Sequence, residues 1–159
     1  MPGKLLHALS RLIENPVFLS TFSAWFSAQF IKTIVELYRT RGHSGREIPA
    51  NLFWKTGGMP SSHSSLVTAL TTSVGIVEGL DSVLFIVVLF YGILTIRDAL
   101  GVRRSAGVQA QLLNQLRTEL FQRYGVSLKP VKEIHGHTPA EVSVGVLLGF
   151  FIALGICNL

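Results

Sequence analysis

Apolar residues recur at helical spacing along most of this chain, and the runs they form are of two kinds. In residues 4–14, Leu5, Leu6, Leu9, Leu12 and Ile13 alternate with Lys4, His7, Ser10 and Arg11, which predicts an amphipathic helix lying at an interface. Charges break up any signal-peptide core there, and no clear small-residue cleavage site follows, so the segment is expected to stay on the protein. Residues 106–124 repeat the pattern, with Leu112, Leu113, Leu116, Leu120 and Phe121 set against Gln109, Asn114, Gln115, Arg117, Glu119 and Arg123. They predict a second surface helix and not a span.

Four further runs are candidate membrane crossings. The first, residues 17–38, starts behind Asn15 and Pro16 and contains Gln29 and Lys32. The second, residues 66–79, follows a serine loop, and a turn at 78–82 joins it to the third. That third run, residues 82–96, is the most apolar and short for a span, so its helix is expected to continue through Arg97 and Asp98 to a stop at Gly101. The last covers residues 139–159. Residues 39–55, with Gly42, Gly45 and Pro49, and residues 125–136, with Pro130, read as loops. The expected fold class is therefore all-α: a polytopic helical membrane protein of about four transmembrane helices plus two interfacial helices, one domain over residues 1–159.

Composition agrees with this solvent. The 159 residues are 48% hydrophobic and only 14% charged, with a mean hydropathy of +0.46. The single cysteine, Cys157, excludes an intrachain disulfide, a CxxC pair or a cysteine metal site, and leaves the redox compartment unread. Four crossings put residues 39–61 and 97–138 on one face. That face carries Arg39, Arg41, Arg46, Lys55, Arg97, Arg103, Arg104, Arg117, Arg123, Lys129 and Lys132, against Lys4 and Arg11 opposite, so the positive-inside rule makes it cytoplasmic. A phosphate site would attract the same residues. The cell membrane is the expected location and no nucleic-acid partner is expected; the oligomeric state is not legible.

Candidate chemistry gathers on the basic face. Gly57-Gly58-Met59-Pro60-Ser61-Ser62-His63-Ser64 places two N-cap residues behind a proline, so a helix should start with His63 in its first turn. Gly58 lets the backbone approach a ligand, and the amides of a helix start favour an anion. A glycine turn with a capped helix and a surface histidine is the plainer reading. Gly136-His137-Thr138-Pro139-Ala140-Glu141 repeats the arrangement: Thr138 is a cap, Pro139 the first helical residue, and Glu141 has the spacing of a capping box. That spacing gives Glu141 a purely structural alternative. Lys32 either snorkels to the surface or turns a cation toward the site. Two helix starts, His63, His137 and the Arg103-Arg104 pair on one face suit a tetrahedral oxyanion.

Taken jointly, Pro60-Ser61-Ser62-His63, the run Asp98-Ala99-Leu100-Gly101-Val102-Arg103-Arg104-Ser105-Ala106-Gly107 with Gln109-Ala110, and Gly136-His137-Thr138-Pro139-Ala140-Glu141-Val142 with Gly145 and Gly149 carry a resemblance. The chain resembles the divergent branch of the phosphatidic acid phosphatase type 2 superfamily, small membrane proteins related to acid phosphatases and vanadium haloperoxidases. The resemblance implies hydrolysis of a lipid phosphate or pyrophosphate through a phosphohistidine, with no cofactor and no metal. It implies His137 as nucleophile, Glu141 as the carboxylate orienting it, and His63 as the acid for the leaving oxygen. Phosphate would be held by Lys32, Gly58, Ser61, Ser62, Arg103 and Arg104.

This sequence departs from the superfamily in two ways. The lysine followed by Arg-Pro of the first motif is missing, leaving Lys32, or Lys55, to stand in. The arginine close before the nucleophile is missing too, leaving Arg103 or Arg104. Asp98, Glu133 and His135 are supporting candidates, the first two as alternative partners for His137 if Glu141 only caps. Two other function classes remain: a non-catalytic membrane protein that binds phosphate head groups or acts as a scaffold, and a metal-dependent hydrolase built on Asp98, Glu133, His135 and His137.

Overall fold

The computed structural model describes residues 2–41, 58–133 and 136–159, and its regular elements are all helices: α1 (Pro2–Glu14), α2 (Pro16–Arg41), α3 (Ser62–Glu78), α4 (Val83–Leu100), α5 (Val102–Tyr124) and α6 (Pro139–Cys157). Local chemistry explains where they begin. Asn15 Oδ1 accepts the amides of Val17 and Phe18 at 2.9 and 3.2 Å, with Pro16 as the first residue of α2. Ser61 caps α3, Ser82 caps α4 and Thr138 caps α6, each through its side-chain oxygen. At the α3–α4 turn Gly79 takes φ +92, a region that disfavours any Cβ, and its carbonyl accepts the Ser82 hydroxyl at 2.9 Å.

Two boundaries differ from the sequence expectation: α2 continues through residues 39–41, expected to open a loop, and α5 begins early. The surface helix α5 starts at Val102, four residues early, so the basic Arg103-Arg104 pair lies in its first turn and not in a loop. Gly101 breaks α4 without ending the helical hydrogen bonding: its N–H still reaches the Arg97 carbonyl at 2.9 Å, and its carbonyl accepts Ser105 N–H at 2.9 Å.

The bundle is inside-out relative to a water-soluble protein. Its largest fully buried side chains are serines, Ser20, Ser61, Ser64, Ser65 and Ser73, and its apolar core is the alanine cluster Ala24, Ala69 and Ala153 with Ile152 against it. Large apolar residues such as Phe22, Phe26, Phe30, Val87, Phe90, Leu94 and Phe151 face outward. Such an arrangement is stable only where the surroundings are themselves apolar, so the chain is a polytopic helical membrane protein. The stretch Val83–Tyr124 and helix α6 also hold windows long and apolar enough to cross a bilayer by themselves. α3, at 17 residues, is short for that measure, and α2 is diluted by its serines, Gln29 and Lys32, of which Ser20, Gln29 and Lys32 are buried between helices.

Small residues four apart form the contact ridges: Ser20, Ala24 and Ala28 on α2; Ser61, Ser65, Ala69 and Ser73 on α3; Gly145, Gly149 and Ala153 on α6. The α3–α6 approach is close enough that a Cβ on Gly145 would lie 2.5 Å from the Ser61 carbonyl oxygen, and one on Gly149 would overlap the Ser65 carbonyl. Across the α2–α3 contact, the Ser65 hydroxyl donates to the Ala24 carbonyl at 3.1 Å. α1 and α5 stay outside the bundle, with Leu6, Leu9 and Leu12 of the first and Leu112, Leu113 and Leu116 of the second exposed. Residues 126–133 run back along α5, pinned by Asn114, whose amide exchanges two 2.9 Å bonds with the Val131 backbone.

Because the atom facing Gly149 is a backbone carbonyl that no rotamer change can move, Gly149→Ala is expected to destabilise the protein in detergent by about 1–3 kcal/mol, the usual cost of overpacking. Gly155 faces open space, so Gly155→Ala on the same helix should leave the unfolding midpoint essentially unchanged. Equal midpoints for the two variants would contradict the close α3–α6 contact.

Candidate functional site

Four helix ends meet where the candidate residues lie. The start of α3 is tied to the start of α6 by a 3.0 Å bond from Ser61 N–H to the Glu141 carbonyl. The residues entering α6 are tied to the end of α4 by a 3.3 Å bond from His137 N–H to the Ala99 carbonyl. Gly136 rests on the α5 backbone so closely that a Cβ would overlap Arg104 N and Cα. From α2, Lys32 reaches in beside Gly58, where a Cβ would stand 3.7 Å from its Cγ and Cε. Gly58 has φ +90, which suits glycine on conformational grounds as well.

Lys32 therefore takes the inward alternative. It is 6% exposed, on the same four-residue ridge as Ala24 and Ala28, and its Nζ donates to Gln29 Oε1 at 3.3 Å. Its charge acts on Glu141, His63 and His137. Gln29 had no role assigned from the sequence; an amide one turn before a lysine within a span was the available signal.

Glu141 holds both places that its spacing allowed. Its Oε2 accepts Thr138 N–H at 2.9 Å while Thr138 Oγ1 accepts Glu141 N–H at 3.3 Å, completing the capping box. The same Oε2 lies 3.3 Å from His137 Nδ1. An ionised carboxylate only accepts, so the proton of neutral His137 sits on Nδ1 and the lone pair on Nε2. His137 is 7% exposed, and burial holds its pKa below the ordinary imidazole value of 6.5, with Glu141 pulling the other way. The imidazole is thus neutral at pH 7 with an unprotonated ring nitrogen turned away from its carboxylate.

Around this pair the first turn of α3 presents Ser61, Ser62 and His63. Ser61 Oγ accepts both the Ser64 amide at 3.4 Å and the Ser64 hydroxyl at 3.0 Å, so these buried serines satisfy one another. Amides at the start of α3 have no acceptor within the helix, and they point outward with the positive end of its dipole. His63 is exposed, within electrostatic range of Arg103, His137, Lys32 and Asp98. Arg103 Nε donates to Asp98 Oδ2 at 2.7 Å, and Arg104 approaches through its backbone while its side chain is exposed.

The structure thus brings His137, Glu141, Lys32, Gly58, Ser61, Ser62, His63 and Arg103 to one end of the bundle. Of the supporting candidates, Asp98 lies at the edge of the site with its carboxylate held by Arg103, and Glu133 is held away from it by Asn114 Nδ2 at 2.8 Å on α5. Neither is the carboxylate at His137 Nδ1. Lys55 and His135 lie outside the described residues. Among the described residues, no three His, Cys, Asp or Glu side chains gather as a metal-ligand group. The arrangement offers a nucleophilic ring nitrogen, a second imidazole, a buried cation and a helix N-terminus, the set that transfer of a phosphoryl group calls on.

Comparison with known proteins gives the same direction. The chain is 39% identical over 155 residues to the "Uncharacterized membrane protein YuiD" of Bacillus subtilis (strain 168), covering 90% of this chain and 94% of that one. No solved structure matches. Residues 13–152, from the end of α1 into α6 and including His63, His137 and Glu141, match the model of the "Divergent PAP2 family", and the chain belongs to that family.

Proposed function

We propose that this protein is an integral-membrane phosphatase that hydrolyses a lipid phosphate or pyrophosphate through a phosphohistidine. The observation that carries the reading is the shared Glu141 oxygen, which fixes the proton of the buried His137 on Nδ1 and leaves Nε2 free. His137 Nε2 attacks phosphorus; the bond to the lipid oxygen breaks, and that oxygen takes a proton from His63. Glu141 balances the charge that develops on the phosphorylated imidazole. Lys32, Arg103 and the first-turn amides of α3 neutralise the equatorial oxygens. Water then attacks the phosphohistidine, His63 takes its proton, and phosphate leaves. Membership of the family and the membrane fold support this reading. The face carrying the site is cytoplasmic by the excess of basic residues, and the membrane is that of the cell.

His137→Ala is expected to abolish both turnover and the phosphoenzyme detected with labelled substrate. His63→Ala should slow esters with poor alkoxide leaving groups by about two to four orders of magnitude and acidic leaving groups far less. A protein that binds head groups without turnover would release no phosphate from any lipid phosphate in vesicles, and that result would end the proposal.

The two duties of Glu141 separate by substitution. Glu141→Gln retains an acceptor for Thr138 N–H, so the unfolding midpoint should stay near wild type while activity falls; Glu141→Ala should lose both. Attack requires neutral His137, and burial lowers its pKa, so the acid limb of the kcat/KM profile is expected below pH 6.5. Glu141 raises that pKa, so Glu141→Gln should carry the limb lower still. A limb moving upward in this variant would remove Glu141 from the His137 environment.

Orientation is checked separately. A cysteine at Ser127, in a Cys157→Ser background, should be labelled by a membrane-impermeant maleimide from the cytoplasmic side alone. Labelling from the outside in intact cells would reverse the assignment.

A further inference from the structure

Between α3 and α4 lies a groove that none of the candidate chemistry uses. Its volume is about 150 Å³, and its walls include Val67 and Thr71 of α3 and Leu89, Gly92, Ile93 and Ile96 of α4. The upper rim adjoins the site on both walls. Val67 is one turn below His63 on the same ridge, and Ile96 is one turn below Ala99, whose carbonyl holds His137 N–H. At 1.5 Å per residue these offsets are only about 5–6 Å, and the groove runs about 10 Å further, to the level of Leu89.

Thr68 and Thr72 border the groove as well as Thr71. The Thr71 hydroxyl donates back to the Val67 carbonyl at 2.8 Å and also lies 3.5 Å from the Val88 carbonyl, so the threonine satisfies its polar group within the protein. Gly92 supplies the floor. A Cβ there would stand 3.3 Å from Thr71 Oγ1 and 3.8 Å from Val67 Cβ, so any larger side chain at this position occupies the groove itself.

We infer that this groove seats the hydrocarbon chain of the substrate, and that the substrate is a single-chain lipid phosphate of the prenyl or monoacyl type. The inference rests on the phosphatase reading for its head group. Continuity between the groove and the His63–His137 end supplies the reason for the occupant: a phosphate held there places the first carbons of its ester chain over Val67 and Ile96. A volume of about 150 Å³ spread over the roughly 10 Å between Ile96 and Leu89 leaves a cross-section of roughly 15 Å², the width of one hydrocarbon chain and not of two side by side.

Two enzymological series test this, with one readout free of turnover. In wild type, kcat/KM for single-chain phosphates should rise with chain length until the chain reaches Leu89 and then level, and should exceed that for a diacyl phosphate. Gly92→Leu is expected to lower kcat/KM for long-chain esters by roughly tenfold or more, the scale expected when a few methylenes are denied an apolar seat, and to leave a short water-soluble phosphate ester unchanged. Leu89→Trp should instead shorten the chain length at which the plateau is reached. A prenyl phosphate carrying a chain-borne diazirine should crosslink within residues 89–96 in wild type and not in Gly92→Leu.

No dependence on chain length, equal reductions on short and long esters in Gly92→Leu with unchanged crosslinking, or preference for a diacyl substrate would overturn the groove while leaving hydrolysis standing. No hydrolysis of any ester would overturn the phosphatase reading. Crosslinking at 89–96 would then still report the chain site, and its absence would remove that too.

Discussion

Everything at the candidate site depends on two places where α6 has no side chain. Gly145 and Gly149 let the backbone of α6 lie directly on the carbonyls of Ser61 and Ser65. Only at that separation can Ser61 N–H reach the Glu141 carbonyl. In a bilayer, burial of apolar surface does little to bring helices together, and close backbone packing with a few interhelical hydrogen bonds must do so instead. The serine and alanine ridges of α2 and α3 follow from this constraint. Because Lys32 continues the α2 ridge, the register that packs the bundle also carries its cation inside.

A single carboxylate oxygen joins fold and chemistry. Capping and imidazole orientation are usually regarded as alternatives for one side chain, since each needs a lone pair aimed in its own direction. Here both donors come from the two residues that precede α6, so one rotamer of Glu141 serves both. The His137 backbone is anchored as well, through its N–H on Ala99. The ring is thereby held from the helix ahead of it and from the helix behind.

The sequence made the ends of elements legible and their depth illegible. Asn15-Pro16, Ser61, Ser82 and the Thr138–Glu141 box are local signals, and the helices begin where those residues place them. Counting crossings also placed both histidines on one face. Periodicity could not say whether Lys32 turned in or out, because that depends on Gly58 and α3 lying beside it. It also could not show that Glu141 does two things, since capping-box spacing is the same with or without a histidine in reach. The start of α5 was misplaced because Gly101 looks like a stop, although its hydrogen bonds keep the helical pattern going. The return of residues 126–133 along α5 rests on Asn114, bonded to a residue seventeen positions away, and on Arg117, which donates to the Leu128 carbonyl at 3.3 Å, pairings that no window of local pattern contains.

The order of the elements in the chain has a consequence for biosynthesis. Lys32 and the serines enter the membrane with the early helices, while His137 and Glu141 precede or open the last one. No nascent chain that stops short of α6 holds the two histidines, the carboxylate and the lysine together, and until α6 inserts, the ridge Ser61-Ser65-Ala69 lacks its glycine partner. Assembly of the site therefore waits for the insertion of α6.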